Sequence, residues 1–142
     1  MPIPDPTSVS GKRRLNVRPK VLICDNEDAL RALVRGALSM SDYELAEARD
    51  GDESLEVARE FEPDLIVLDL MMPGRTGFEV LEELRLDVRF AETPVVLLTA
   101  RTQAADREAA DSAGADRFLP KPFSPLELVS IVEELLQRRS VA

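Results

Sequence analysis

"LIVLDLMMPG", Leu65 to Gly74, decides how this chain is read. Four branched apolar residues run into a carboxylate, Asp69, and the chain then passes through more apolar residues to a Pro-Gly turn. A strand that is apolar at every position is covered on both faces, which is the habit of parallel strands in α/β proteins. Such a strand ending in a charge places that charge at the rim of a buried sheet, where it needs a task.

Working outward, short apolar runs alternate with helical patterns from Lys20 onward. "KVLIC" is followed by Leu30, Leu33, Val34, Ala37 and Leu38, a three-and-four spacing that makes one helical stripe. "YELAEA" is a weaker strand, and "DESLEVAREF" a second helix with Leu55, Ala58 and Phe61 on one face. "DLIVLD" is the third strand, and Phe78, Val80, Leu81 and Leu84 mark a third helix after "MPGRTG". "PVVLLTA" is the fourth strand, and "TQAADREAADSAG" predicts a fourth helix closed by Gly114. "DRFLP" and "SPLELVSIVEELLQRR" complete the pattern, the last helix having Ser124 as N-cap and Pro125 at its first position. Five βα units without hairpin signals predict an open, doubly wound parallel sheet. The fourth predicted helix offers the core little but alanine, so its hold on the sheet is expected to be weak.

The 142 residues suit one domain with tails. Residues 1–19 read as a mobile, proline-containing basic tail, 20–139 as the domain, and 140–142 as a C-terminal tail. The first nineteen residues carry a net charge of +3 and the remainder −12. So acidic a domain argues against direct binding to nucleic acid or to an anionic membrane. No apolar stretch reaches the roughly 20 residues of a membrane span, and a cytoplasmic location is expected. The single cysteine, Cys24, sits in an apolar run and reads as a buried thiol. With no histidine in the chain, its chemistry must run on carboxylates, hydroxyls and lysine.

In open parallel sheets the ligand site lies beyond the carboxyl ends of the strands. Those ends supply Asp25, Asn26 and Glu27, then Asp69, Thr99 and Lys121. Each has a bland reading: Asn26 or Asp28 could cap the first helix, Asp69 could begin a turn, and Lys121 could be a solvated surface residue. Chance seldom delivers all of them to one rim. Clustered carboxylates need a cation, and an all-oxygen site with few protein ligands suits Mg²⁺. Asp69 can then act as nucleophile toward a phosphoryl group, with Lys121 and the Thr99 hydroxyl stabilising the equatorial oxygens. The turn after Asp69 lets a backbone carbonyl approach the ion.

The motifs "VLICDNED", "PDLIVLDLMMPGRTG", "VVLLTA" and "FLPKPF" occur in the order of a known family, and residues 20–139 resemble a response-regulator receiver domain, the phosphoacceptor half of two-component signalling. The resemblance implies a flavodoxin-like (βα)5 fold with strand order 2-1-3-4-5. It implies that Asp69 is the phosphoacceptor, Thr99 the switch hydroxyl, Phe118 the switch aromatic and Lys121 the phosphate contact, followed by Pro122 through a cis bond. Asp25, Asn26, Asp69 and the Met71 backbone carbonyl are the implied Mg²⁺ ligands. The implied partners are a sensor histidine kinase or histidine phosphotransfer protein and a downstream target or output domain, with phosphorylation-dependent homodimerisation a further candidate. Such a chain is no conventional enzyme, but it catalyses its own phosphorylation and a slow autodephosphorylation, with Met71 and Arg101 flanking the path of water. The expected output is a changed surface formed by the fourth predicted helix, the fifth strand and the final helix. The competing reading is a receiver-like interaction module that works without phosphorylation, and a small hydrolase or nucleotide-binding protein is disfavoured by the lack of a glycine-rich loop after the first strand.

One position departs from the family pattern: Asn26 stands where a second acid is usual. An amide oxygen still coordinates Mg²⁺, but with one charge fewer the site binds it less tightly, an effect that Glu27 partly offsets. Asn26→Asp is therefore expected to tighten Mg²⁺ binding in a titration; unchanged or weaker affinity contradicts this account of the acidic notch.

Overall fold

The computed structural model describes residues 18–100 and 114–141. Within them the elements run β1 (Lys20–Cys24), α1 (Asp28–Leu38), β2 (Glu44–Ala48), α2 (Gly51–Phe61), β3 (Leu65–Asp69), α3 (Gly77–Leu86), β4 (Val95–Thr99), β5 (Arg117–Pro120) and α4 (Pro125–Val141). The five strands are parallel, in the order β2-β1-β3-β4-β5. The fold and strand order are those expected from the sequence. The last predicted helix is α4, which continues two residues beyond the Arg139 end of its sequence pattern. Residues 1–17 of the expected tail, the fourth predicted helix up to Ala113, and Arg101 lie outside the described residues.

Alternation along each strand divides the core. Leu22, Cys24, Ile66, Leu68, Val95 and Leu97 face one side, against α2 and α3 through Leu55, Ala58, Val80, Leu81 and Leu84. Val21, Ile23, Leu65, Val67, Val96 and Leu98 face the other, against α1 and α4 through Val34, Leu38, Leu128, Val132 and Leu135. Every residue of β3 is buried. At roughly 1.5–3 kcal/mol per buried branched side chain, the four apolar residues of β3 offset the several kcal/mol that it costs to draw a carboxylate into the same strand.

The edges of the sheet are short and charged. β2 carries Glu44 and Glu47, while β5 has four residues, beginning with Arg117 and ending with Pro120.

Local chemistry sets the helix ends. Asp50 caps α2 by accepting the Glu53 amide. Thr76 and Glu79 form a reciprocal capping box at the start of α3. Ser124 Oγ accepts the Leu126 amide at the start of α4, as the sequence predicts. Neither Asn26 nor Asp28 caps α1, contrary to the bland reading of those residues. The N-cap position is Glu27, which makes no side-chain cap bond. The Glu27 amide instead donates to Asp25 Oδ1 at 2.9 Å. A residue expected in the site thus also closes the helix behind it.

At the opposite, amino edge of the sheet, Arg85 on α3 donates to the carbonyls of Phe90, Thr93 and Gly114 and to Asp116 Oδ2. One guanidinium thereby fixes the entries to both β4 and β5.

The loop between β3 and α3 depends on Gly77. Its amide donates to the Leu70 carbonyl at 2.8 Å. A Cβ at Gly77 would stand 2.5 Å from the Asp69 carbonyl oxygen and 2.7 Å from Leu70 Cα, both backbone atoms. Gly77→Ala is therefore expected to destabilise the fold by about 1–3 kcal/mol in urea unfolding and to shift the Asp69 amide resonance; a neutral substitution would mean that this loop is free to move aside.

Candidate functional site

The carboxyl ends of β1, β3, β4 and β5 bring Asp25, Asp69, Thr99 and Lys121 together. Asp69 and Thr99 are the last residues of their strands, and Asp25 and Lys121 directly follow theirs. The backbone links them across the sheet. The Leu70 amide donates to the Leu98 carbonyl at 2.8 Å, and the Lys121 amide to the Thr99 carbonyl at 2.6 Å. The bond between Lys121 and Pro122 is cis, as expected.

Asp25, Asp69 and Thr99 are all buried. Lys121 Nζ reaches Asp69 Oδ1 at 3.1 Å, Asp25 Oδ2 at 3.7 Å and Glu27 Oε1 at 3.8 Å. Three carboxylates thus share one ammonium. The Met71 amide also donates to Asp69 Oδ1, at 3.2 Å. Burial, followed by the neighbouring Asp25 charge, pushes the Asp69 carboxyl up to about 6 against the opposing pull of Lys121.

Asp25 Oδ2 is a buried oxygen with no hydrogen-bond partner. Leaving such an atom unsatisfied is costly, and a hard cation satisfies it. Two buried carboxylates, one with an orphaned oxygen, fit Mg²⁺ by donor chemistry. Among the described residues, no three His, Cys, Asp or Glu side chains converge as a metal-binding group. Asn26 and Met71 are exposed at the rim. Phe118 is half-buried on β5, packed against the α2–α3 side of the core.

Two arginines that sequence reading did not single out hold the loops of the site. Arg75 donates to Asp52 on α2 at 2.8 Å and to Glu83 on α3 at 2.6 Å. Its backbone also lies so close to Gly51 that a Cβ there would stand 2.7 Å from the Arg75 carbonyl oxygen. Arg31 binds the Asp25 carbonyl together with Glu47 and Asp28. A basic residue four positions from an acidic helix start is too common for sequence alone to mark it. Cys24, below the site, is buried, and burial pushes its thiol up to about 12, in keeping with a structural role.

A groove of about 310 Å³ opens beside Lys121 and Glu27, with an apolar wall of Leu30, Leu33, Pro122 and Phe123. Leu33 is 47% exposed. Among the described residues no helix is long and apolar enough to cross a membrane.

This fold is matched by known proteins. Residues 21–133 match the response regulator receiver domain family, and the chain belongs to it. It is 42% identical over 121 residues to the transcriptional regulatory protein ResD of Bacillus subtilis (strain 168), covering 85% of this chain and 49% of that protein. It is 42% identical over 120 residues to the DNA-binding dual master transcriptional regulator RpaA of Synechocystis, covering 84% of this chain and 50% of that one. The chain thus spans about half the length of the curated relatives it matches. Among solved structures, the chemotaxis response regulator CheY4 of Vibrio cholerae superposes with a TM-score of 0.80 at 32% identity, covering 84% of this chain and 99% of that chain.

The excess of negative charge generates a prediction about stability. Asp69→Asn removes one buried charge and leaves Lys121 paired with Asp25 and Glu27. In EDTA at neutral pH it is expected to stabilise the fold by roughly 1–3 kcal/mol in urea unfolding. A loss of stability would mean that the pair of Asp69 with Lys121 outweighs the cost of burying it.

Proposed function

We propose that this chain is a phosphorylation-activated signalling switch that accepts a phosphoryl group on Asp69. The observation that carries the reading is the convergence of Asp69, Asp25 and Lys121 at one buried point, with an Asp25 oxygen left unsatisfied. Asp69 Oδ1 is engaged by Lys121 and the Met71 amide. That leaves nucleophilic attack on phosphorus to Oδ2, and the product is an acyl phosphate. Asp25, Asn26, Asp69 and the Met71 carbonyl are the residues that would hold Mg²⁺, which supplies charge neutralisation between the carboxylates and the incoming phosphoryl oxygens. Lys121 follows the charge from the carboxylate to the phosphoryl oxygens, and the Thr99 hydroxyl contributes a further hydrogen bond there.

With no histidine in the sequence, the phosphoryl group comes from outside, from the phosphohistidine of a sensor kinase or phosphotransfer protein. The apolar groove beside Lys121 is surface that a protein donor must cover to reach Asp69. Charge gained at Asp69 draws Thr99 toward it and lets Phe118 turn inward. The result is a population shift on a surface that includes β5 and α4, which acts on a target or output domain. Hydrolysis by water resets the switch, with Met71 at the rim beside its path. ResD is named a transcriptional regulatory protein and RpaA a DNA-binding transcriptional regulator, and a target or output domain of that kind, in a cytoplasmic setting, accords with this reading.

Asn26 favours a second reading, a receiver that signals by binding alone. Incubation with acetyl phosphate and Mg²⁺ followed by intact-mass measurement separates the two. The switch predicts a single phosphoryl adduct that is lost in Asp69→Asn and suppressed by EDTA; absence of an adduct with acetyl phosphate and with a phosphohistidine donor leaves only the binding module.

A further inference from the structure

Every polar atom of Asp25 but one is already engaged. Its amide donates to the Ala48 carbonyl on β2 at 3.0 Å. Its Oδ1 accepts the Glu27 amide at 2.9 Å, and its carbonyl accepts Arg31 Nη1 at 2.9 Å. Only Oδ2 has no hydrogen-bond partner, and it lies toward Lys121. The Arg31 side chain is 11% exposed. Its Nε donates to Glu47 Oε1 on β2 at 2.9 Å and its Nη2 to Asp28 Oδ1 in the first turn of α1 at 2.7 Å. Glu47 is held in turn by Arg35 at 2.7 Å. Burial works against the Arg31 charge, but the hydrogen bonds it donates to Asp28 and Glu47 outweigh it and raise the pKa above its ordinary value.

A guanidinium presents its donors in a rigid planar fork, so its three acceptors are fixed relative to one another. Here those acceptors belong to the end of β1, to β2 and to the start of α1. We propose that Arg31 is the positioning residue of the cation site: it holds the Asp25 peptide so that Oδ2 stays aimed into the cluster, and it sets divalent-cation affinity without touching the ion. The inference rests on the reading of this cluster as a Mg²⁺ site and adds to it a residue from outside the ligand set. With an amide at position 26, less of the affinity comes from charge and more from how well the remaining oxygens are placed. Groups that orient a ligand from behind are worth about 10–100-fold in metal affinity. The pair of Arg35 with Glu47 does not reach Asp25, and its own loss matters only through Arg31.

The test uses the full chain, with Mg²⁺ affinity read by calorimetric titration, folding by urea unfolding in EDTA, and the environment of Asp25 by the Glu27 amide resonance. Arg31→Ala is expected to weaken Mg²⁺ binding by about 10–100-fold and to move that resonance. Arg31→Lys, which keeps the charge but not the fork, is expected to recover part of the affinity. Asp28→Ala severs the exposed contact of Arg31 and is expected to bind within about twofold of the unaltered protein, by the low worth of exposed ion pairs. A folded Arg31→Ala protein that binds Mg²⁺ as tightly as the unaltered chain overturns the inference. Should Arg31→Ala fail to fold, Glu47→Ala, which removes the acceptor of Arg31 Nε, decides: weaker Mg²⁺ binding supports the positioning role, and undiminished binding overturns it. Absence of Mg²⁺ binding by the unaltered protein would instead overturn the reading of the site, and this inference with it.

Discussion

The ammonium of Lys121 balances the whole carboxyl edge of the sheet. It stands 3.1 Å from Asp69, 3.7 Å from Asp25 and 3.8 Å from Glu27, and one positive charge cannot neutralise three negative ones. The surplus is tolerated because the central strands β3 and β4 are buried at every position and cannot shift to relieve it. On the proposed reading, a buried, under-neutralised notch is what would hold a divalent ion and, with it, a phosphoryl donor. Burial, and after it the neighbouring Asp25 charge, raises the Asp69 pKa. Stability and function therefore pull in opposite directions at this point of the fold, as is common where a site must bind charge.

Arginines hold the frame of that notch. Arg31 ties the first loop to β2 and α1, Arg75 ties the loop after Asp69 to α2 and α3, and Arg85 ties the far edge of the sheet to the entries of β4 and β5. Each uses the forked geometry of its side chain to join elements distant in sequence. The exposure of these side chains decides how much they contribute. Arg75 is 42% exposed, and ion pairs so open to solvent contribute little. Arg31 is 11% exposed and bonds a main-chain carbonyl, so its contribution is larger and its orientation more constrained.

The sheet was the most legible part of the chain. Apolar runs such as "LIVLD" and "VVLLT" are buried at every position, and a parallel strand covered by helices on both faces admits few other readings. The rim was legible because Asp25, Asp69, Thr99 and Lys121 each stand at the end of such a run. "YELAEA" was the weakest strand, and it lies at an edge, where only Ala48 is buried. The start of α1 was not legible in full: several acidic residues follow β1, and only the structure shows that Asp25 itself accepts the Glu27 amide. Arg31 and Arg75 escaped notice because, apart from Asp28 three positions before Arg31, their partners lie 6 to 23 positions away in sequence, beyond the reach of helical spacing. Phe118 was placed by resemblance alone, and its half-buried position on β5 carries no sequence period that would reveal it.

The two outer strands bear on how such a domain is recognised. β2 presents Glu44 and Glu47, and β5 is only four residues long and ends at Pro120, which has no amide hydrogen to donate. An extended peptide seeking to prolong the sheet would meet carboxylates on one flank and an interrupted ladder on the other. Backbone zippering is thereby discouraged, and neighbours must read the molecule through side chains on its helices and loops. Those surfaces diverge readily between paralogues that share one scaffold, so fidelity among many similar signalling chains can be written there without disturbing the chemistry underneath.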